Sequence, residues 1–299
     1  MELFGAVEAG GTKIIVAVGR AGEEPLVFER IPTTEPGETL DRIISFFRDR
    51  ASEGHTIRAL GVGCFGPVDL DPESPRWGFI SLTPKQGWQG TDVAGTLGRA
   101  LGVPVGFDTD VNAAVLAEHR LGAGRGQDPL VYLTVGTGIG GGVIVNSRVL
   151  HGASHPELGH ILMARRKDDT FGGSCPFHSS CWEGLASGPA VKARWGERGE
   201  DLPPDHPAWD LEAWYLAQGI VDLFMILSPQ AVILGGGIGQ GPGLIDRVRS
   251  AAASLCSGYL DRPRTPEEWA DVIRAPGLRI PGLDGAFLLA EDAAGNPAH

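Results

Sequence analysis

The amino-acid sequence predicts an α/β protein of two domains, in which mixed β-sheets are flanked by helices. Apolar runs of strand length alternate along the chain with stretches whose apolar residues have helical spacing. A strand, a glycine turn that contains threonine, and a second strand follow one another twice, around residues 10 and 137. The length of 299 residues suits two domains at roughly 100–200 residues each.

In the first part of the chain, two short apolar runs on either side of a glycine turn predict a β-hairpin at residues 3–7 and 14–18. The apolar residues between positions 40 and 47 have helical spacing, and Thr39 precedes them as the candidate cap. The further elements predicted here are a strand at 59–63, a helix at 93–101, a strand at 103–107 and a helix at 113–120.

A glycine-rich joint at residues 122–126 comes next, and we expect it to form a hinge between the domains. Beyond it, a polar tail follows the last predicted helix. The elements predicted in this part are strands at 130–135, 143–145 and 231–234, and helices at 209–227, 245–255 and 286–293.

Charge and hydropathy exclude several classes of protein. Lysine and arginine number 25 and aspartate and glutamate 37, for a formal net charge of −12. Long-range repulsion from phosphate makes a nucleic-acid binder or an anionic-membrane binder unexpected. Apolar runs stay shorter than the ~18 residues of a membrane-spanning helix. The first residues lack the pattern of a secretory signal, so we expect a cytoplasmic protein.

Two glycine turns are candidate phosphate sites, and a third glycine turn after a later strand supports that interpretation. Glycine lets successive amides point toward one spot, and threonine adds a hydroxyl donor. Each of the first two turns, taken alone, is also compatible with an ordinary hairpin, and neither is a Walker A loop. The candidate residues are Gly10, Gly11, Thr12 and Lys13, then Gly136, Thr137 and Gly138, and after a third strand Gly235, Gly236 and Gly237.

Asp110 is the candidate catalytic base. It follows a predicted strand and precedes a predicted helix, the position at which open α/β sheets bind ligands. A carboxylate there can accept a proton from an attacking hydroxyl, as phosphoryl transfer requires. The alternative is a helix cap, which Asp108, Thr109 or Asp110 could each provide.

Histidine and cysteine at short spacing indicate a metal site. Cys175, His178 and Cys181 are three residues apart, and His160 can supply a fourth ligand to a tetrahedral zinc ion. We favour a structural zinc over a catalytic one, because four protein ligands leave no open position. The alternative is a loop with two reduced thiols and an incidental histidine.

The other cysteine and histidine residues, and Glu183, give weaker evidence for a functional site. Cys64 and Cys256 lie among apolar or small residues and are expected to be buried. Glu183 follows the last cysteine of the candidate metal site. His151 and His155 receive no assignment.

Together these motifs resemble the ROK sugar kinases, most closely the bacterial zinc-containing fructokinases, over nearly the whole chain. The segments that carry the resemblance are residues 8–13, 66–69, 83–88, 108–114, 134–142, 155–160 and 175–184. It implies a two-lobed actin-like ATPase (ribonuclease H-like) fold. The N-terminal lobe would contain residues 1–121, with a helix at 285–299 packed back on it, and the C-terminal lobe residues 122–284.

The resemblance also implies the reaction: ATP-dependent phosphorylation of a hexose, with D-fructose preferred, Mg²⁺ as cofactor and Zn²⁺ as a structural ion. Asp110 would be the base, and His160 would bind zinc as well as sugar. The partners would be a sugar, a nucleotide and a second copy of the chain in a homodimer, without nucleic acid or membrane. The implied sugar contacts are Thr109, Glu157, His160 and Glu183; the first two glycine turns would hold phosphate, and Pro189 and Gly235–Gly237 would complete the nucleotide site.

Two departures from the family pattern favour fructose over glucose. A third lies in the segment that carries Cys175, His178 and Cys181, which we name the metal loop. Thr109 stands where many ROK glucokinases have Asn, Glu8 where they have Asp, and His178 where many relatives have a third Cys. Mannose or N-acetylmannosamine remains an alternative substrate. A sugar-responsive transcriptional regulator is a further alternative, disfavoured because the first motif begins at Glu8 and leaves no room before it for a helix-turn-helix.

Overall fold

The protein, described at residues 2–295 by a computed structural model, divides into two compact units. Unit 1 contains residues 2–121, Val149–His155 and 278–295, and unit 2 contains Gly122–Arg148 and Pro156–Gly277. Of the predicted C-terminal helix at 285–299, residues 296–299 lie outside the described residues. Within the described part of the chain, no helix combines the length and the apolar character that crossing a membrane demands.

Unit 1 is built on a five-stranded mixed sheet with the strand order β3-β2-β1-β4-β5. β1, β2 and β3 pair antiparallel, whereas β1, β4 and β5 are parallel. The strands are β1 (Leu3–Ala9), β2 (Lys13–Gly19), β3 (Val27–Pro32), β4 (Ile57–Cys64) and β5 (Val105–Thr109), and the helices are α1 (Pro36–Ser52), α2 (Val93–Leu101), α3 (Asp110–Arg120) and, at the C-terminus, α9 (Pro281–Gly295).

Unit 2 contains most of the second mixed sheet, whose order is β10-β9-β6-β7-β8. β6 pairs antiparallel with β7 and parallel with β9. The strands are β6 (Leu130–Val135), β7 (Ile139–Val145), β8 (Arg148–Val149), β9 (Ala231–Gly235) and β10 (Ile273–Arg274), and the helices are α4 (Trp182–Ala186), α5 (Gly188–Trp195), α6 (Ala208–Leu227), α7 (Leu244–Cys256) and α8 (Pro266–Val272). The predicted class, α/β with mixed sheets flanked by helices, is confirmed.

Close packing of the C-terminal helix on strand β4 and on helix α3 depends on two glycines. A Cβ atom on Gly61 of β4 would collide with the carbonyl oxygen of Ala286 in α9. A Cβ atom on Gly285 would likewise collide with the carbonyl oxygen of Ala113 in α3. Backbone therefore lies directly against backbone, so that α9 buries Ala286, Phe287 and Ala290 against small and apolar side chains of the sheet.

The starts of α1 and α3 differ from the predicted ones, because local hydrogen bonds and proline set where each helix begins. Thr39 is not the cap of α1: the helix starts at Pro36, since proline suits the first turn, and the Thr39 hydroxyl accepts a hydrogen bond from the Thr34 amide. α3 starts at Asp110, three residues before its predicted start, with Thr109 as its cap. Cys64 and Cys256 are buried, as predicted.

We predict that Gly61→Ala destabilises unit 1 by about 1–3 kcal/mol, because the added methyl group must push α9 away from β4. The midpoint of chemical denaturation, followed by circular dichroism, measures the effect. Gly37→Ala is the matched control, since a Cβ atom at that position of α1 would have no neighbour within 4 Å. Equal midpoints for the two variants would contradict the packing described here.

Candidate active site and metal centre

The register of the parallel strands brings two predicted site elements to one edge of the unit 1 sheet. Ala9 at the end of β1 pairs with Cys64 at the end of β4, and Cys64 pairs with Thr109 at the end of β5. The first glycine turn follows Ala9, and Asp110 follows Thr109. The candidate base and the candidate phosphate loop therefore share the carboxyl edge, where open α/β sheets bind ligands.

The turn that carries Asp110 is fixed by its neighbours. The Thr109 hydroxyl accepts the Asn112 amide at 3.0 Å and so caps α3, which leaves Asp110 as the first helical residue. Asp108 is buried, and its Oδ1 accepts hydrogen bonds from the Thr109 amide and from Asn112 Nδ2, both at 2.7 Å. Asp110 Oδ1 accepts from the Val111 amide at 2.9 Å.

Glu8 adds a second carboxylate near Asp110. Burial, and next the negative charge of Asp110, raise the pKa of Glu8 from 4.5 to about 7. Among the described residues, Glu8 Oε2 has no hydrogen-bond partner. An unpartnered carboxylate oxygen beside a second carboxylate offers donors of the kind that Mg²⁺ takes, so the residues at this edge fit that ion.

The first glycine turn is tied down through its carbonyl groups. The Thr33 hydroxyl donates to the Gly10 carbonyl at 2.7 Å, and Lys85 Nζ donates to the Gly11 carbonyl at 2.6 Å. Gly11, Thr12 and Lys13 are exposed. Thr33 and Lys85 thus hold the turn through its carbonyl groups, while the three residues predicted to contact phosphate face solvent.

The second glycine turn lies between β6 and β7 and contacts two helices of unit 2. The Gly188 amide, at the start of α5, donates to the Gly136 carbonyl at 2.7 Å. Glu183 Oε2 of α4 accepts from the Ile139 amide at 3.0 Å, and a Cβ atom on Gly138 would lie only 2.5 Å from it. This turn therefore sits beside the Glu183 carboxylate and near the exposed Pro189 at the start of α5.

The third glycine turn packs against the strand that leads into the second. Gly236 follows β9 with a φ of +84°, and a Cβ atom there would collide with the backbone of Val135 at the end of β6. The Ile238 amide also donates to the Val135 carbonyl at 2.9 Å. The parallel pairing of β6 and β9 thus brings Gly235, Gly236 and Gly237 close to Gly136, Thr137 and Gly138.

Glu157 and Glu183 form a pair of carboxylates in unit 2. Partial burial of Glu157, and next the negative charge of Glu183, raise the pKa of the Glu157 carboxyl from 4.5 to about 7. Glu157 immediately precedes the short helical turn Leu158–His160, which ends on the candidate sugar and metal residue His160. Two neighbouring carboxylates can accept several sugar hydroxyl hydrogens.

The four predicted metal ligands are brought together. One ligand atom from each of His160, Cys175, His178 and Cys181 lies within 4.8 Å of those of the other three. Cys175 Sγ is 3.9 Å from Nδ1 of both histidines. Zinc–ligand bond lengths in tetrahedral geometry imply sulfur–nitrogen separations of roughly 3.6 Å, so this donor set fits zinc.

Backbone groups support the metal loop. The amides of Phe177 and Gly184 donate to the sulfur atoms of Cys175 and Cys181, at 3.4 and 3.3 Å, and such bonds favour thiolate ligands. Arg165 donates hydrogen bonds to the carbonyl groups of Gly172, before the first cysteine, and of Ser179, between His178 and Cys181.

Three further residues, for which the sequence predicts no role, support the site. His151 Nε2 is 2.9 Å from Asp108 Oδ2, and this hydrogen bond raises the pKa of His151. His155 Nε2 accepts the Val68 amide at 3.1 Å, and Lys85 holds the first glycine turn. The partners of His151, His155 and Lys85 are 43 to 87 residues away, so no local pattern signals them.

Comparisons with known proteins agree with the architecture. The ROK family model matches residues 4–293. A fructokinase of Zymomonas mobilis is 40% identical over 294 residues, covering 97% of this chain and 96% of that protein. The structure of a ROK hexokinase from Thermus thermophilus has a TM-score of 0.77 and 29% identity and covers 99% of both chains. That of a ROK family glucokinase from Streptomyces griseus, in complex with glucose and AMPPNP, has a TM-score of 0.75 and 27% identity and covers 97% of this chain and 99% of that one. The predicted family resemblance and fold are confirmed.

We predict that Glu183→Gln lowers the pKa of Glu157 below its value of about 7, because the substitution removes the neighbouring negative charge. Partial burial should still keep the pKa above 4.5. Carbon-13 NMR of the side-chain carboxyl groups measures the titration. The exposed Glu197→Gln is the control and should leave it unchanged. An unaltered Glu157 titration in Glu183→Gln would show that the two carboxylates do not interact.

Proposed function

The chain belongs to the ROK family, and we propose that it transfers the γ-phosphoryl group of ATP to O6 of D-fructose, giving fructose 6-phosphate and ADP. The fructokinase relative at 40% identity supports the substrate, and the neighbour with bound AMPPNP supports the nucleotide. One observation carries the chemistry: Asp110 stands at the sheet edge where the first glycine turn also begins.

In this proposal Asp110 is the general base. A sugar hydroxyl is a weak nucleophile because its pKa lies far above 7, so its proton must move to a nearby carboxylate as the oxygen attacks. O6 then forms a bond to the γ-phosphorus while the bond from that phosphorus to the β–γ bridging oxygen breaks. The electron pair leaves with ADP, and the proton remains on Asp110.

The glycine turns hold the phosphates. Gly11, Thr12 and Lys13 face solvent on a turn whose carbonyl groups are bonded elsewhere, which suits binding of an anion by amides and a hydroxyl. Gly136, Thr137 and Gly138 would form the second phosphate contact, and Gly235, Gly236, Gly237 and Pro189 would meet the nucleoside part of ATP. Mg²⁺ bound with ATP, near Glu8 and Asp110, would offset the phosphate charge.

Thr109, Glu157, His160 and Glu183 are the proposed sugar contacts. Glu183 bonds the backbone next to the second glycine turn, so a hydroxyl bonded to this carboxylate would be held near the phosphate chain. In His160, Nδ1 points to the metal-ligand cluster, which leaves Nε2 for the sugar. A residue with both roles would make sugar placement depend on the metal loop.

The metal loop is proposed to hold a structural zinc ion. His160, Cys175, His178 and Cys181 would provide four ligands, a number that leaves no open position on the ion. When bound, zinc would fix the loop and the orientation of the His160 ring. We also infer a homodimer, the state that the family resemblance implies, and a cytoplasmic location, where ATP is available.

Measurement of ADP release with a panel of sugars tests the substrate. The expected result is the highest kcat/KM with D-fructose. A higher kcat/KM with mannose or N-acetylmannosamine would identify that sugar, and not fructose, as the preferred substrate. Absence of transfer to any sugar, together with specific and salt-sensitive binding to DNA, would instead favour a regulator.

We predict that Asp110→Asn lowers kcat by about 10²- to 10⁴-fold, the usual effect of losing an acid–base group. The fold should persist, because Thr109, and not Asp110, caps α3. Steady-state kinetics with fructose measures the loss, and the exposed Asp41→Asn in α1 is the control. Turnover near that of the unmodified enzyme would remove Asp110 from the mechanism.

We predict that protein purified without chelator contains about one zinc ion per chain, and that Cys175→Ala loses it and unfolds at a lower temperature. Elemental analysis and thermal denaturation are the measurements. Cys256→Ala, a buried cysteine in α7 outside the cluster, should keep the metal. Protein that is fully active and stable with no zinc would refute a structural ion.

A further inference from the structure

We propose that His151 is a positioning residue for the catalytic base: it fixes the Asp108 carboxylate, and that carboxylate fixes the turn from which Asp110 projects. The catalytic consequence rests on the proposed kinase function. The structural part, that His151 orders the first turn of α3, does not.

Asp108 connects the two sides of this arrangement. Its side chain is buried, and a buried carboxylate is costly unless donors surround it. Oδ1 accepts from the Thr109 amide and from Asn112 Nδ2, while Oδ2 is bonded by His151 Nε2 at 2.9 Å. Without the imidazole, Oδ2 would lose that bond, and the carboxyl group could rotate away from its other two donors.

Rotation of the Asp108 side chain would be transmitted to Asp110 through hydrogen bonds to the residues beside it. Thr109, immediately before Asp110, and Asn112, two residues after it, are both bonded to the same oxygen of Asp108. Asn112 is bonded to Thr109 as well, through its amide. Asp110 therefore sits inside a closed set of hydrogen bonds. Since proton transfer to a base requires near-contact geometry, a displacement of about 1 Å can cost on the order of 10²-fold in rate.

The segment that carries His151 is itself held at a second point. Residues Val149–His155 belong to unit 1, although the chain on either side belongs to unit 2. His155 is buried and accepts the Val68 amide, and the Gly152 amide donates to the Ser154 carbonyl in a tight turn between the two histidines. His151 is thus presented to Asp108 from an anchored segment, as positioning requires.

Four variants test the proposal. His151→Ala removes the donor, whereas His151→Gln keeps an N–H donor at a similar reach. Asp108→Asn changes the acceptor. Ser154→Ala alters an exposed neighbour in the same segment and is the matched control. Each is examined by NMR amide exchange at Thr109 and Asn112, and by kcat and KM for fructose with ATP.

His151→Ala should accelerate amide exchange at Thr109 and Asn112 and lower kcat by about 10- to 100-fold, while KM changes little. His151→Gln should restore both properties, and Ser154→Ala should resemble the unmodified protein. Asp108→Asn should lower kcat, and combining it with His151→Ala should add little further loss, because the two residues act as one unit. If His151→Ala alone fails to fold, the Gln and Asn variants carry the same comparison.

Unchanged exchange at these two amides in His151→Ala would overturn the proposal, whatever happens to the rate. Fully additive losses in the double variant would overturn it as well. If the unmodified protein phosphorylates no sugar, the proposed function fails, and amide exchange still decides whether His151 orders the turn that carries Asp110.

Discussion

The parallel pairing of β1, β4 and β5 places three strand ends at one level, and the chemistry proposed for unit 1 depends on this constraint. Each residue of a parallel pair is fixed by its ladder, so Ala9, Cys64 and Thr109 end at one edge. Backbone amides of a glycine turn and the N-terminus of α3 follow directly. Both favour negative charge, which is what a phosphate donor brings. Close packing of α9 on β4 keeps that edge in place.

In this acidic protein, for which we propose ATP as a substrate, the carboxylates lie in different environments. Asp108 is paired with donors and serves structure, whereas burial and the charge of Asp110 raise the pKa of Glu8. In unit 2, Glu183 is bonded to a backbone amide, and its charge contributes to the raised pKa of Glu157. Side-chain carboxyl groups thus behave differently because their neighbours differ. In the proposed reaction, the glycine turns bind the phosphate anions, because their backbone dipoles act over short distances despite the net charge of −12.

The metal loop shows how far spacing alone carries. A metal site is predicted from Cys175, His178 and Cys181, because ligands at short intervals in the sequence can surround one ion. His160, 15 to 21 residues before Cys175 and Cys181, is also predicted from the sequence as the fourth ligand, and the fold brings the four ligand atoms within 4.8 Å of one another. The spacing of cysteine and histidine residues does not predict the role of Arg165, nor that of the amides that bond the sulfur atoms.

The sequence by itself determined the fold class, the main strands and helices, the glycine turns, the metal-ligand cluster and the position of Asp110 between strand and helix. These features are local, since periodicity and short spacing are written into neighbouring residues. Tertiary structure alone decided that Thr109 caps α3 while Thr39 does not cap α1, that Lys85 holds the first turn, and that His151 reaches Asp108. Some of these contacts join distant segments, and in others one threonine hydroxyl can bond to more than one group. Such hydrogen bonds become strong only after packing has brought the groups together and removed the surrounding water.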